Sequence, residues 1–323
     1  MPLTLNVIQE QQEQKEIKNK KRYTEGYRLV GNHSAVKICA YCKKAIKGED
    51  VCYKNTFYGI ESWRCIQMSP TFFCDHRCVF CWRDIDYIWP KWQGPVDEPK
   101  FIVDECIKSH VELLQGFKGN QKAIESKLKE MQKPLHFAIS LTGEPTMYPR
   151  LPEMIDYIKE KGMTAFLVTN GTIPEMVERL IGHQPTQLYI SVYGPNKEIH
   201  QKTANPITKD AWEKLQKSLS MMHKFNRNVM RLTLTKGFNF VAPEKYAELA
   251  EKYKPMFIEC KGYVWVGHSQ ERLEIENMPY HHEIMEFARK IEQNSSYKII
   301  DFKEESRVAL LAREDYKDRK MDF

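Results

Sequence analysis

Three cysteines fall in one short stretch, Cys74-Asp75-His76-Arg77-Cys78-Val79-Phe80-Cys81, followed at once by Trp82, Arg83 and Asp84. The spacing is C-x3-C-x2-C. It obliges the chain to fold so that one loop gathers three thiols around a shared point. Structural zinc takes four ligands, usually as two separated pairs. Three thiols on one loop suit a [4Fe–4S] cubane instead, with three irons held and the fourth left without a protein ligand. Zinc remains the competing reading of the same residues.

A second group lies upstream, at Cys39, Cys42, Cys52 and Cys65. Two readings are open. Cys39-x2-Cys42 with Cys52 and Cys65 makes a four-cysteine zinc site, since C-x2-C is a common zinc knuckle. Alternatively, Cys39, Cys52 and Cys65, spaced C-x12-C-x12-C, hold a second three-cysteine cluster that again leaves one iron free. Cys42 is then a spare thiol or an occasional ligand. The residues around the set do not choose between these.

The chain has 323 residues, 42% hydrophobic and 28% charged, enough for one large globular domain with extensions. A net charge of +6 permits a nucleic-acid partner without demanding one. No apolar run is long enough for a membrane span. Residues 9–22 are charged and Gln-rich and lack the apolar core of a signal peptide, which suits a frayed tail or a short helix. Nine cysteines without an export signal point to a reducing, cytoplasmic setting and to metal binding rather than disulfides.

From about Trp63 onward apolar strands alternate with helical patterns. Strands are expected near Arg64 to Ser69, Leu135 to Leu141, Thr164 to Val168, Gln187 to Val192, Val229 to Thr235 and Phe257 to Val266. Helices are expected at Arg150 to Lys161, from Pro174, at Lys209 to His223 and at Glu244 to Lys254. One or two more fall between Asp104 and Met131, broken near Gly116 to Gly119. Six βα units imply parallel strands with right-handed crossovers. The expected fold is therefore α/β, a partial (β/α)6 TIM-like barrel with its chemistry at the C-terminal strand ends. Residues 1–62 form a cysteine-rich extension expected to supply most ligands of a second cluster. Residues 63–267 form the barrel. Residues 268–323 form an α/β tail with a helix at His281 to Gln293 and an apolar end at Val308 to Ala312.

Small or polar residues recur where the strands end. Thr142-Gly143-Glu144-Pro145 follows the second strand, Thr169-Asn170-Gly171 the third, and Ser191 stands at the end of the fourth. Singly, each has a plain reading: Glu144 near a helix start, Asn170-Gly171 as a turn. Together with the Cys74 loop and an aromatic before its last cysteine, they resemble the radical SAM enzymes. The resemblance implies that the open iron chelates the amino and carboxylate groups of S-adenosylmethionine (SAM). It implies that Gly143 and Glu144 receive the SAM amino group, that Thr169, Asn170 and Ser191 contact ribose and carboxylate, and that Phe80 packs on the adenine. Thr142 departs from the commoner Gly-Gly-Glu form.

The likeness narrows further. The paired spacing of the two cysteine sets, the run Cys52-Tyr53-Lys54-Asn55-Thr56-Phe57-Tyr58-Gly59-Ile60 and the run Lys261-Gly262-Tyr263-Val264-Trp265-Val266-Gly267 are similar to the archaeal 4-demethylwyosine synthases of the wybutosine pathway. The similarity runs from about Cys39 to Leu273. It implies two [4Fe–4S] clusters at Cys74, Cys78, Cys81 and at Cys39, Cys52, Cys65, with pyruvate as co-substrate. The implied substrate is N1-methylguanosine beside the anticodon of phenylalanine tRNA. A 5′-deoxyadenosyl radical takes hydrogen from the N-methyl group, and the carbon radical attacks C2 of pyruvate. Loss of the carboxyl carbon and ring closure complete the base.

Pyruvate is expected to be held as a Schiff base on a lysine of depressed pKa. Lys54, two residues after Cys52, is the first candidate, beside a second cluster able to hold the pyruvate carboxylate. Lys261 is the second candidate. A solvated surface lysine is the plain alternative for both.

A base drawn from an RNA loop needs aromatic and cationic residues at the entrance. Arg77, Trp82 and Arg83 are the leading candidates, with His76, Trp89 and Trp92. Lys43, Lys44, Lys47, Lys118, Lys122, Lys127 and Lys129 are either phosphate contacts or solvated helix faces. No flavodoxin-like domain precedes the cysteines, so an external carrier such as flavodoxin or ferredoxin is expected, with the chain acting as a monomer. The rival readings are another radical SAM enzyme with an auxiliary cluster and a zinc-containing RNA-binding protein.

Overall fold

The computed structural model describes residues 26–85 and 89–323; the expected N-terminal tail lies outside the described residues. Six parallel strands form the centre: β3 (Cys65–Ser69), β4 (His136–Ile139), β5 (Thr164–Thr169), β6 (Gln187–Ser191), β7 (Asn228–Leu234) and β8 (Phe257–Gly262). Their near-continuous apolar character is what strands covered on both faces require. β1 (Arg28–Val30) and β2 (Ser34–Lys37) extend the sheet antiparallel beside β3, and β10 (Val308–Ala312) and β9 (Lys298–Lys303) extend it antiparallel beside β8. One ten-stranded sheet thus runs through all three segments of the sequence.

Ten helices accompany it among the described residues: α1 (Ala40–Ile46), α2 (Tyr53–Tyr58), α3 (Pro99–Leu114), α4 (Glu125–Glu130), α5 (Leu151–Glu160), α6 (Pro174–Arg179), α7 (Lys197–Ala204), α8 (Ala211–Ser220), α9 (Pro243–Tyr253) and α10 (His281–Gln293). The expected βα alternation is present. The long helix expected at Lys209 to His223 is shorter, and the last parallel strand stops at Gly262 rather than Val266. Polar α7 escaped the pattern because its start is set by a cap, Asn196 Oδ1 accepting the Ile199 N–H at 2.9 Å, and not by an apolar stripe.

Side chains alternate across each strand, so the two faces of the sheet have separate cores. Outward residues such as Met68, Ile139, Leu167, Ile190, Met230 and Ile258 pack with Ile102, Met154, Leu215, Ala247 and Ile284 of the outer helices. Inward residues Phe166, Tyr189, Val229, Phe257, Val308 and Leu310 pack with Tyr53, Phe57 and Tyr58 of α2. The helix of the cysteine-rich extension therefore fills the floor of the barrel. One row above, Ser191, Arg231 and Glu259 stand side by side on β6, β7 and β8.

The C-terminal segment fastens that floor. Arg319 donates to the Phe57 carbonyl at 2.9 Å and to Asp301 Oδ2 at 3.0 Å, and the Met321 N–H donates to the Tyr58 carbonyl at 3.1 Å. Gly59 ends α2 at φ +82°, and a Cβ there would lie 2.6 Å from the Met321 carbonyl oxygen, so glycine alone fits. Among the described residues no helix is long and apolar enough to cross a membrane.

Candidate active site

A cavity of about 370 Å³ opens at the C-terminal ends of the parallel strands, where barrel chemistry is expected. Cys74, Cys78 and Cys81 form part of its wall, with Phe80, Glu144 and Ser191 among their neighbours there. The cysteine loop is held by backbone and charge. The Arg77 N–H donates to the Ala204 carbonyl at 3.1 Å and the Val79 N–H to the Thr203 carbonyl at 3.0 Å, both at the end of α7. Arg272 donates to the carbonyls of Val79, at 3.3 Å, and Cys81. Asn170 Nδ2 donates to Asp75 Oδ1 at 2.7 Å, tying the loop to the end of β5. Burial pushes the Cys74 thiol up to about 12, and the Arg83 guanidinium opposes that. A positive charge beside the thiols assists the deprotonation that metal ligation needs.

Gly143 lets the end of β4 pass under this loop. Its φ is +68°, and a Cβ would sit 2.2 Å from the Thr71 carbonyl oxygen. Glu144 then knits two strand ends together. Its Oε1 accepts from the Thr146 N–H at 3.0 Å and from the hydroxyls of Thr146 and Thr169, each at 2.6 Å. Its Oε2 accepts the Asn170 N–H at 2.7 Å. Three donors on one oxygen and one on the other leave a lone pair at Oε2 for a further donor. Burial pushes this carboxyl up to about 7 against those hydrogen bonds. The ring of Phe80 lies 5.1 Å from that of Tyr193.

The second cysteine set gathers by the floor. Cys39 and Cys52 precede the first turns of α1 and α2, and Cys65 opens β3. The three are electrostatically coupled. Burial pushes Cys52 up to about 11 and Cys65 up to about 12, and Lys54 opposes both shifts. Cys39, Cys52 and Cys65 are half-buried, whereas Cys42 is 1% exposed in an apolar cluster with Ile46, Leu114 and Met131. Its Sγ faces the Trp63 carbonyl at 3.9 Å. Among the described residues no three His, Cys, Asp or Glu side chains close on a single metal ion.

Lys54 lies between this set and the barrel wall. It is 8% exposed, and its ammonium sits 4.5 Å from the centre of the Tyr189 ring. No described residue hydrogen-bonds its amine. Burial lowers its pKa, and Arg231 lowers it further. Lys261 lines the cavity, but its Nζ donates to the Ser306 carbonyl at 2.9 Å. Burial, then Arg231, lower Lys261 to about 8.

The three expected RNA contacts are not equivalent. Arg77 is exposed. Trp82 is half-buried, stacked on Tyr27 at 5.8 Å with Lys37 4.8 Å from its ring. Arg83 is buried behind the thiols and donates to the Phe72 carbonyl at 2.9 Å. Of the lysines, Lys127 is occupied, donating to the Ala45 carbonyl at 2.9 Å over the Trp63 ring. Arg231, Glu259 and Arg272 were not singled out from the sequence. The available signal for the first two was a charge in the middle of an otherwise apolar strand.

Residues 68–251 match the radical SAM superfamily model, and residues 252–313 match the model for wyosine base formation. The S-adenosyl-L-methionine-dependent tRNA 4-demethylwyosine synthase of Pyrococcus abyssi is 44% identical, the alignment covering 90% of this chain and 86% of that protein. Its counterpart in Methanocaldococcus jannaschii is 38% identical over 93% of this chain and 96% of its own length. A solved structure of TYW1 with a lysine–pyruvate adduct bound superposes with a TM-score of 0.84 at 37% identity, covering 96% of this chain and 98% of the other. Three cysteines facing a barrel cavity, together with this similarity over nearly the whole length, settle the classification: the chain belongs to the S-adenosyl-L-methionine-dependent tRNA 4-demethylwyosine synthases of the radical SAM superfamily.

Proposed function

We propose that the chain converts N1-methylguanosine beside the anticodon of phenylalanine tRNA into 4-demethylwyosine, with two carbons drawn from pyruvate held on Lys54. The observation that carries this reading is a buried lysine amine without a hydrogen bond, set between Cys52, Cys65 and the barrel wall. The lysine–pyruvate adduct described for the related TYW1 structure supports it.

The residues fit the groups that membership implies. A [4Fe–4S] cluster on Cys74, Cys78 and Cys81 supplies, when bound, the electron that cleaves SAM. Gly143, Glu144, Thr169, Asn170, Ser191 and Phe80 frame the SAM pocket, where Glu144 Oε2 retains room for an ammonium donor. Cys39, Cys52 and Cys65 would hold the second cluster, with Cys42 left in the apolar core. Burial favours the neutral amine of Lys54, the form that adds to a carbonyl carbon. The amine attacks C2 of pyruvate, water leaves, and C=N replaces C=O. The enclosed floor keeps bulk water from reversing that step. Lys261, tied to the Ser306 carbonyl, is the second choice for the same role.

Arg77 and Trp82 lie where an unstacked nucleotide would arrive, whereas Arg83, buried and bonded to the Phe72 carbonyl, acts on the thiols and not at the entrance. Residues 1–62, 63–267 and 268–323 then act as cluster-binding extension, SAM barrel and tail. Electrons come from a separate low-potential carrier, and the chain works as a cytoplasmic monomer.

The test is an anaerobic assay with SAM, pyruvate, reductant and methylated or unmethylated tRNA. Product is expected only with methylated tRNA and both clusters loaded, and it should vanish in Lys54→Ala. Normal product formation by Lys54→Ala would overturn the lysine assignment.

A further inference from the structure

One charged side chain of the cavity has no part in the scheme above. Arg231, in the middle of β7, lines the cavity, and its guanidinium hydrogen-bonds to no described residue. Glu259, beside it in register, is the natural partner. Yet Glu259 Oε1 takes the Tyr58 hydroxyl at 2.8 Å, and Oε2 has no hydrogen-bond partner among the described residues. Guanidinium and carboxylate share a row without pairing.

The electrostatic neighbours of Arg231 are Tyr53, Glu259, Tyr189 and Tyr193, and it is also coupled to Lys54 and Lys261. The enclosed barrel thus gathers three basic side chains around one carboxylate. A guanidinium half-buried in a cavity wall without a partner carries a desolvation cost. An anion entering the cavity would remove that cost. The planar five-donor fork matches a carboxylate through two parallel hydrogen bonds.

We propose that Arg231 binds the carboxylate of the α-keto acid, aligning its carbonyl with the lysine and selecting keto acids over uncharged carbonyl compounds. This rests on the lysine-adduct reading above and adds the group that recognises the acid. The carboxylate stays intact during capture. The neutral lysine nitrogen bonds to C2, two protons leave with the carbonyl oxygen as water, and an imine remains. SAM brings a second carboxylate to the same cavity. Three of the four neighbours of Arg231, Tyr53, Tyr189 and Glu259, belong to α2, β6 and β8 around Lys54 and favour the keto acid, while Tyr193 lies beside Phe80 on the SAM side.

The experiment uses full-length anaerobic protein with both clusters, without SAM or tRNA. Labelled pyruvate is titrated in, the imine is reduced with cyanoborohydride, and the adduct is read by intact mass and peptide mapping. Pyruvamide, of the same shape without the charge, is run in parallel. In Arg231→Gln the pyruvate concentration for half-maximal capture should rise ~10–100-fold, the value of a hydrogen bond to a charged group. Arg231→Lys, which keeps charge but not the fork, should fall between. Pyruvamide capture should fall far less than pyruvate capture in Arg231→Gln, by no more than the loss of a positive charge beside Lys54 accounts for, and should be unchanged in Arg231→Lys.

Unchanged pyruvate capture in Arg231→Gln overturns the proposal. Equal loss of pyruvate and pyruvamide overturns it too, since the defect is then not one of acid recognition. Equilibrium dialysis of SAM should give the same affinity in wild type and variant. Weakened SAM binding with intact pyruvate capture would assign Arg231 to the methionine carboxylate instead. An Arg231-dependent adduct mapped to a lysine other than Lys54 removes the Lys54 assignment and upholds Arg231. If wild type yields no adduct, dialysis of labelled pyruvate decides: Arg231-dependent binding upholds the proposal and Arg231-independent binding overturns it.

Discussion

The Tyr58 hydroxyl donates to Glu259 Oε1 at 2.8 Å, joining α2 to β8 inside the barrel across 201 positions of sequence. Both groups are buried. Tyr58→Phe leaves a buried carboxylate with neither oxygen bonded, a loss of about 1–3 kcal/mol. Chemical denaturation should register that loss. Pyruvate capture should slow with it, because Lys54 is on the same helix.

Cys42 separates the cluster reading from the zinc reading by a single substitution. Cys42→Ala should keep its full iron and sulfide and lose only about 1 kcal/mol of stability from the apolar cluster. Cys39→Ala, Cys52→Ala and Cys65→Ala should each forfeit half of the iron. Loss of iron or appearance of stoichiometric zinc dependence at Cys42 would contradict the assignment. Iron, sulfide and zinc analysis of anaerobic preparations reads all four.

Arg272 clamps the SAM-cluster loop through two carbonyls, those of Val79 and Cys81. Arg272→Ala should let the loop open more often. The cluster should then be lost to a chelator roughly tenfold faster, which corresponds to about 1.4 kcal/mol. Absorbance decay of the iron–sulfur band measures it, and the second cluster in the same protein is the internal reference.

His110 on α3 is fully buried, and neither ring nitrogen has a hydrogen-bond partner among the described residues. Burial depresses its pKa from 6.5 to about 4. The unfolded chain therefore binds a proton that the folded chain refuses. Its contribution is intact above pH 6.5 and is lost as the pH falls from 6.5 toward 4. His110→Leu should flatten the acid limb of a stability–pH profile over that interval and leave stability near pH 8 unreduced. A profile of unchanged slope in urea titrations would remove His110 as the cause.

Much of the site could be read from residue types alone. Thiol spacing marks the Cys74 loop, because three thiols on one short segment converge on a shared point. Alternating apolar strands and amphipathic helices mark the barrel. Lys54 stands out in the sequence because it follows Cys52, and its side chain is buried in the fold. The short elements β1, β2, α1 and α2 were not, since their apolar runs are too brief for any periodicity to emerge. Their positions depend on contacts made far along the chain, such as Val36 with Met68 in the β2–β3 ladder. Arg231 and Glu259 were hidden for a related reason. Inside a parallel barrel a strand's inward face is a lined space, and the pattern alone does not show where that lining turns from packing into chemistry. Arg83 looked like an entrance cation by its place in the sequence, yet its guanidinium is buried and bonded to the Phe72 carbonyl.

The fastening of α2 by Arg319 spans 262 positions. A ribosome therefore completes the helix of Lys54 long before it makes the residue that secures it. Until Arg319 and Met321 emerge, α2 and Cys52 before it lack this fastening, and the compartment beside them stays unsealed. Any group loaded at Cys52 and Cys65 has its widest access in that interval.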